Sequence, residues 1–510
     1  MCGICGIAIP SRLGRDVEDG QLVRMRDALV HRGPDGAGLM LEGNIGLGHR
    51  RLSIVDVAHG AQPMTTDDGR STIVYNGEVF NHPALMAALQ GDGVRYHTSC
   101  DTETVLHLYE RHGRDFVSHC RGMFAIAIWD RRERTLVLAR DRFGVKPLYY
   151  VHDADGTLWF ASEIKGLVAA GAVRPALDMA AFPDFLANHA PSGVDTLFAG
   201  VKRVPPGHVL TWQDGAVTIT RYWRLSYRTD ERLAARDDAS LVDEYTERFR
   251  EAVRLRLMAD VPLGMFLSGG IDSAAITAMM SELVDGPIKT FSVAFAEREA
   301  NEFHWARQVA ERYRTDHHEI VVSPEQFWDA LPSLVWHEDE PLAHPSSVAL
   351  NFVSRLAGEH VKVVLTGEGS DETLAGYDRY RVTIANMALG GVWEKIVPGG
   401  MRGALARAIG PAGQAGVRGK LARTFLARPA DLDRMYFDNF AVFAPDRIAS
   451  MLTPAAREQV GTVNAYQAYH DALADTDAPT LLGRLLYADS RTYLHELLMK
   501  QDQMSMAASI

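Results

Sequence analysis

Cysteine is scarce in this 510-residue sequence: Cys2, Cys5, Cys100 and Cys120 are the only four. So few cannot build a disulfide scaffold for a chain this long, and a reducing compartment, the cytoplasm, is the expectation. Cys2 and Cys5 match C-x-x-C. A zinc site needs a second ligand pair at matching spacing, which does not stand out, and a thioredoxin-like use needs the motif after a first strand. Long apolar runs are missing too. No segment reaches the roughly 18 uninterrupted apolar residues of a membrane span, and the start lacks the basic region and apolar run of a secretory signal. Positive charge is in deficit, 53 Lys and Arg against 65 Asp and Glu, and no Lys/Arg run offsets the net charge of −12. That argues against a surface that coats nucleic acid. An anionic substrate must then rely on helix N-termini, a metal ion or single basic residues. Low-complexity tracts and internal repeats are absent. What remains is a globular composition, 47% hydrophobic and 23% charged, in a chain long enough for two or three cores.

One stretch past the middle is organised differently from its surroundings: Gly264-Met265-Phe266-Leu267-Ser268-Gly269-Gly270-Ile271-Asp272-Ser273. It reads as strand, tight turn and helix N-terminus. Glycines let the backbone approach a ligand, and the N–H groups of a first helical turn attract an anion. Ser268 and Ser273 add hydroxyls, and Asp272 can hold a metal ion against phosphates. No Gly-Lys-Ser/Thr follows, so this is not the common P-loop, and the glycine spacing is wrong for the dinucleotide fingerprint. Taken alone it is either a phosphate loop or a Gly-rich turn before an ordinary helix.

Cys2 is equally open. It is either a small buried residue of a first strand or, once Met1 is removed, a nucleophile carrying its own α-amine. That amine, with a reference pKa near ~8, would serve as general base. Downstream, His31-Arg32-Gly33-Pro34-Asp35 is a polar turn, and Arg51-Leu52-Ser53-Ile54-Val55-Asp56 reads as a strand headed by arginine. Asn76-Gly77 is a turn signal behind the strand-like residues 71–75. Ser99-Cys100-Asp101-Thr102-Glu103 opens a helix with capping-type residues and acids in its first turn. Residues 140–150 read as an antiparallel hairpin with a tight turn, and a second hairpin surrounds Gln213-Asp214-Gly215.

Together, Cys2, H-R-G-P-D, R-L-S-I-V-D, N-G-E and Asp101 resemble the N-terminal-nucleophile glutamine amidotransferases, most closely the glutaminase half of glutamine-dependent asparagine synthetases. The resemblance implies a four-layer αββα sandwich in which Cys2 attacks the side-chain amide of glutamine. It makes the Asn76 side chain and the Gly77 N–H the oxyanion hole, Arg51 the clamp on the α-carboxylate, and Glu78 and Asp101 the partners of the α-ammonium.

From Arg228 to Ser240 the chain turns polar and charged, which reads as a linker. The division expected is 2–213 for the glutaminase, 214–240 for the linker and 241–510 for a second domain. An amphipathic helix over 241–258 leads into the Gly-rich loop. Strands over 288–295, 318–322 and 361–366 then alternate with helices over 302–313, 327–336 and 346–356. Such alternation predicts a parallel sheet with helices on both faces and ligands beyond its carboxyl edge. The Ser268–Ser273 loop resembles that of the ATP-pyrophosphatases, and Thr366-Gly367-Glu368-Gly369-Ser370-Asp371-Glu372 resembles its partner in synthetases. The resemblance implies that Leu267, Val293, Thr366 and Gly367 contact adenosine while Ser268, Gly269, Gly270 and Ser273 hold phosphates. Asp272 and Asp371 would hold Mg²⁺, and Glu368 would act as base or position groups around an acyl-adenylate. Glu338–Pro341 and His344–Ser347 resemble the stretch lining the acceptor. Residues 386–481 read as mostly helical and carry no chemistry.

His495-Glu496-Leu497-Leu498 lacks the second histidine of a zinc H-E-x-x-H; residues 494–510 instead resemble the synthetases. There the motif runs on into further residues, one a lysine contacting pyrophosphate, so the stop at Ile510 is read as a fragment. The whole is expected to be an α/β two-domain enzyme that makes asparagine from aspartate, glutamine and ATP with Mg²⁺. Its partners are expected to be those small molecules and a second copy in a homodimer, with no nucleic acid and no membrane. The same machinery acting on another carboxylate, on a cell-envelope glycan or natural-product precursor, is the alternative. A truncated glutaminase is a third.

Overall fold

The computed structural model describes residues 1–296, 301–342, 344–411 and 416–510. The described strands of the first 221 residues are β1 (Gly3–Ala8), β2 (Gly36–Glu42), β3 (Ile45–Arg51), β4 (Met64–Thr65), β5 (Ser71–Val79), β6 (Gly122–Asp130), β7 (Thr135–Arg140), β8 (Tyr149–His152), β9 (Leu158–Ala161), β10 (Lys202–Arg203), β11 (His208–Gln213) and β12 (Ala216–Arg221). They form two six-stranded antiparallel sheets, ordered β10-β8-β9-β1-β3-β2 and β12-β11-β7-β6-β5-β4.

Period-2 alternation explains the layering. Along β6, Ala125, Ala127 and Trp129 meet Ile4, Leu47 and Phe160 of the other sheet, while Phe124, Ile126 and Ile128 face Val105 and Leu108 of the helix Asp101–His112. On the far side, Cys5 and Ile7 of β1 pack against Leu22 and Met25 of the helix Asp19–Asp27. The result is helix, sheet, sheet, helix.

Three local readings need correction. Asn76 and Gly77 make no turn: they lie inside β5, opposite Ala125 and Phe124 of β6. A Cβ at Gly77 would stand 2.3 Å from the Met123 carbonyl, so the glycine serves close packing between strands rather than chain reversal. Residues 140–150 are no hairpin, because β7 and β8 belong to different sheets. The crossing is shaped by Asp141, whose carboxylate accepts the N–H groups of Phe143, Val145 and Lys146 at 3.0–3.1 Å. Arg51 ends β3 instead of heading a strand, and residues 52–56 are irregular. The helix at Asp101 forms, but its N-cap is Cys100 with no side-chain cap bond.

In the second half β13 (Leu263–Phe266), β14 (Lys289–Phe295), β15 (Asp316–Val322) and β16 (Val363–Leu365) form a parallel sheet in the order β15-β14-β13-β16. Met265 and Leu365 bury one face against the helices Asp238–Leu255 and Ile271–Leu283. Phe291 buries the other against Ser346–Gly358 and Tyr493–Met506. Within the polar stretch 228–240 lies a short helix, Glu231–Ala234, capped by Asp230. The mostly helical reading of 386–481 includes residues 412–415, which lie outside the described residues. Among the described residues no helix is long and apolar enough to cross a membrane.

The helix Tyr493–Met506 ties the halves together. Asp502 accepts from Arg32 at 2.7 Å and from Lys146 at 2.8 Å, all three essentially buried.

Where the two antiparallel sheets meet, Gly6 of β1 leaves no room: a Cβ there would stand 2.3 Å from Phe160 Cε1 and 2.7 Å from the Gly46 carbonyl. Gly6→Ala is therefore expected to cost about 1–3 kcal/mol by overpacking, and Phe160→Leu in the same chain to recover part of it. Denaturant unfolding of the single and double variants checks this; equal midpoints for parent and Gly6→Ala would rule it out.

Candidate active site

The first cluster forms where β1 begins beside the middle of β5. The Cys2 N–H donates to Asn76 Oδ1 at 2.9 Å, and the buried thiol lies 3.8 Å from the Leu52 carbonyl. Burial raises the thiol above its ordinary value. Asn76 is wholly buried, and its Nδ2 has no partner among the described residues. An unsatisfied amide donor beside a thiol is what a developing oxyanion needs. Arg32 Nε donates to the Cys2 carbonyl at 3.1 Å, so the arginine of H-R-G-P-D also fixes the backbone of Cys2.

Cys2, Arg51, Gly77, Glu78 and Asp101 line one small cavity of about 40 Å³, together with Met1. The Arg51 guanidinium donates to the carbonyls of Asp56 at 2.6 Å and Val57 at 3.0 Å. It passes so near Gly60 that a Cβ there would be 2.5 Å from Nη2. Asp101 accepts from the Val79 N–H at 2.9 Å and the Tyr75 hydroxyl at 2.8 Å. Burial, then the charge of Asp101, pushes the Glu78 carboxyl up to about 8, and its Oε1 has no partner. The amine in this structure belongs to Met1, where burial lowers it to about 5.

The second cluster sits at the carboxyl edge of the parallel sheet. Leu267, Ser268, Gly269, Gly270, Asp272, Ser273, Val293, Thr366, Gly367 and Glu368 line one cavity of about 430 Å³. The loop is self-supporting: the Ser268 and Ser273 hydroxyls lie 2.9 Å apart, and the Gly270 N–H donates to Ser268 Oγ at 3.1 Å. Gly367 allows the two loops to touch, since a Cβ would stand 3.2 Å from the Ser273 nitrogen. Asp371 does not line the cavity. Its carboxyl is nonetheless raised by burial and by the charge of Asp272. Two carboxylates that repel one another beside this Gly-rich loop have the donor chemistry of a Mg²⁺ site, which takes one or two carboxylates plus phosphate oxygens. Among the described residues no group of three or more His, Cys, Asp or Glu side chains is arranged to hold a metal.

Two placements differ from the sequence reading. Asp339 and Glu340 turn toward the first half, not the cavity. Asp339 caps the N-terminus of the helix Ile164–Ala169 at 2.6 Å, and Glu340 pairs with Arg203 at 2.9 Å. Of that stretch Ser346 lines the cavity. Sequence reasoning also missed Lys500, the basic side chain lining this cavity, with Nζ 3.3 Å from Ser346 Oγ and 9% exposed. Its signal was the helical register of 494–506, which brings position 500 to the buried face. A third cavity, of about 580 Å³, runs between the halves, with Met1 and Glu78 on its wall together with Thr366, Gly367 and Glu368.

Residues 1–223 match the family model described as glutamine amidotransferase domain, and residues 244–510 match that described as asparagine synthase. The chain is 33% identical over its whole length to asparagine synthetase [glutamine-hydrolyzing] 1 of Bacillus subtilis (strain 168), of which it covers 78%. It is 32% identical over its whole length to a putative asparagine synthetase [glutamine-hydrolyzing] of Mycobacterium bovis, covering 79%. It is also 36% identical over 71% of its length to amidase chyE of Penicillium rubens, covering 56% of that protein.

The buried Glu78 generates a pH signature. A carboxyl raised to about 8 in the folded state binds its proton more tightly there than when unfolded. Its contribution to stability is complete below its unfolded value and is lost as the pH rises to about 8. Glu78→Gln should therefore gain on the parent between pH 5 and pH 8, by a few kcal/mol, with no further gain above. Urea unfolding of both chains across that range checks it, and a pH-independent difference would refute the assignment.

Proposed function

Because the chain belongs to the glutamine-hydrolysing asparagine synthetase family, a class of glutamine-dependent amidotransferases that uses ATP, we propose that it makes asparagine in the cytoplasm. Removal of Met1 would leave the α-amine of Cys2 beside Asn76 Oδ1, positioned to take the thiol proton. The sulfur attacks the amide carbon of glutamine, and Asn76 Nδ2 with the Gly77 N–H receives the oxyanion. Arg51 holds the α-carboxylate, and Glu78 and Asp101 hold the α-ammonium. Ammonia leaves, and water cleaves the glutamyl thioester to give glutamate.

In the second half a side-chain oxygen of aspartate attacks the α-phosphorus of ATP and pyrophosphate departs. Leu267, Val293, Thr366 and Gly367 hold adenosine, and Ser268, Gly269, Gly270 and Ser273 hold phosphates. Mg²⁺ at Asp272 and Asp371 would supply charge neutralisation on the phosphates. Lys500 sets a further positive charge against the bound anions. Ammonia then attacks the acyl carbon, Glu368 takes the proton shed by nitrogen, and AMP leaves. The observation that carries this reading is the cavity whose wall includes Glu78 from the first cluster and Thr366, Gly367 and Glu368 from the second. It offers ammonia a route between the two clusters.

A second reading, the same chemistry on another carboxylate, draws on the similarity to a protein named amidase instead of asparagine synthetase. Supplying glutamine, ATP, Mg²⁺ and aspartate and quantifying glutamate, asparagine and pyrophosphate separates the two. Near-equal yields of all three establish the first; glutamate without asparagine favours the second. Cys2→Ala should abolish glutamine-dependent synthesis by at least a hundredfold while leaving ammonia-dependent synthesis intact. Loss of both in a folded variant would refute the division of labour.

Lys500→Met should lower ammonia-dependent synthesis by at least tenfold, with glutamine hydrolysis spared and Lys500→Arg recovering part of the rate. Unchanged synthesis would remove Lys500 from the site.

A further inference from the structure

A cavity of about 480 Å³ that neither chemical step uses lies between residues 180–206 and the helices Gln467–Asp475, Leu481–Arg491 and Tyr493–Met506. Its inner wall gathers basic side chains beside one carboxylate, Asp184, which accepts from Asn188 and Ser192. Arg140, Arg203 and His495 are buried there, with Arg491 half-buried beside them. Arg203 is neutralised by Glu340 at 2.9 Å and Glu496 at 3.5 Å. Arg140 donates to the carbonyls of Gly144, Lys146 and Val204, and Arg491 reaches the Pro206 carbonyl at 3.5 Å. Among the described residues neither Arg140 nor Arg491 has a carboxylate at ion-pair distance. Positive charge taken out of water without a counter-ion is costly. Burial draws Arg140 down to about 10 and lowers Arg491 too.

His495 adds a second, independent feature. It is 3% exposed, and its Nδ1 has no partner. Burial and the charges of Arg140, Arg203 and Arg491 hold the ring well below its ordinary value, so it is neutral at pH 7. The Phe143 backbone accepts a hydrogen bond from the ring, and in the tautomer that carries this proton on Nε2, Nδ1 is a bare acceptor on the cavity wall. The mouth has the opposite sign. Asp471 is exposed there and bonded only to Gln467 at 2.8 Å, and Asp475 stands nearby, paired with Arg221.

We propose that this interdomain cavity binds a free α-amino acid whose carboxylate meets Arg491, whose side chain donates a hydrogen bond to His495 Nδ1, and whose ammonium faces Asp471. A simple dianion would be repelled at the mouth, and an ammonium alone at the inner wall, so a zwitterion fits both ends. An amide side chain supplies the donor that Nδ1 lacks. The occupant bridges the two halves at a point distinct from both reaction centres.

Isothermal titration of the full chain with L-asparagine and L-glutamine tests this, with L-glutamate and pyrophosphate as comparators. The Arg51→Leu chain serves as parent, so that the glutaminase cavity does not contribute. Binding of one amide amino acid should weaken at least tenfold in Arg491→Gln and in Asp471→Asn, while ammonia-dependent synthesis stays unchanged. Because Asp471 is exposed, its variant guards against a misfolded Arg491→Gln. Isotherms that survive both substitutions, binding of pyrophosphate alone, or no binding at millimolar concentration would each overturn the proposal.

Discussion

Buried charge holds the molecule's two halves in one register. Arg32 is wholly removed from water, yet its guanidinium reaches Glu163 at 2.8 Å, Asp502 at 2.7 Å and the Cys2 carbonyl at 3.1 Å. Burial alone would push Glu163 up, but Lys165, His31 and Arg32 outweigh it and hold the carboxyl well below its ordinary value. Asp502, shared with Lys146, is likewise held low. Removing one member of such a buried set leaves the others uncompensated, typically at about 3–5 kcal/mol. The network therefore locks the helix Tyr493–Met506 against the first half. That helix sets Lys500 on the wall of the cavity at the carboxyl edge of the parallel sheet and Asp502 on the wall of the cavity between the halves.

Close backbone approach is the second constraint. Gly77 lets β5 pack against β6 while carrying Asn76 to Cys2, and Gly367 lets two loops meet at the carboxyl edge of the parallel sheet. Neither glycine has a positive φ. At Gly367 a Cβ would crowd the Ser273 nitrogen at 3.2 Å, and at Gly77 a neighbouring backbone occupies the space of a Cβ. That also explains why Asn-Gly, a turn signal when read locally, belongs to a strand here.

The alternation of apolar residues made most elements legible. The apolar run at residues 124–130 and the strand–helix alternation after residue 257 are local patterns, and the parallel sheet forms as that alternation requires, while the sandwich was legible through the family resemblance. Cys2, Arg51, the Gly77-Glu78 pair and Asp101 stand apart in the sequence, yet they converge on one cavity. The residues misread were those whose conformation is decided by distant partners. Residues 140–150 look like a hairpin because strands flank a turn, but Asp141 gathers the backbone N–H groups of the crossing and sends β8 to the other sheet. Asp339 and Glu340 look like acceptor-lining acids, but a helix N-terminus and Arg203 draw them to the interface.

The sequence by itself determined where strands alternate with helices and which short motifs the chain carries, because periodicity and short motifs are properties of neighbouring residues. Tertiary structure alone decided what depends on the meeting of remote segments. Lys500 joined a cavity built mainly from residues 266–368, Glu78 acquired its raised pKa from burial beside Asp101, and three arginines converged on His495. Burial and convergence of charge are set by the packed chain as a whole, and no local pattern encodes them.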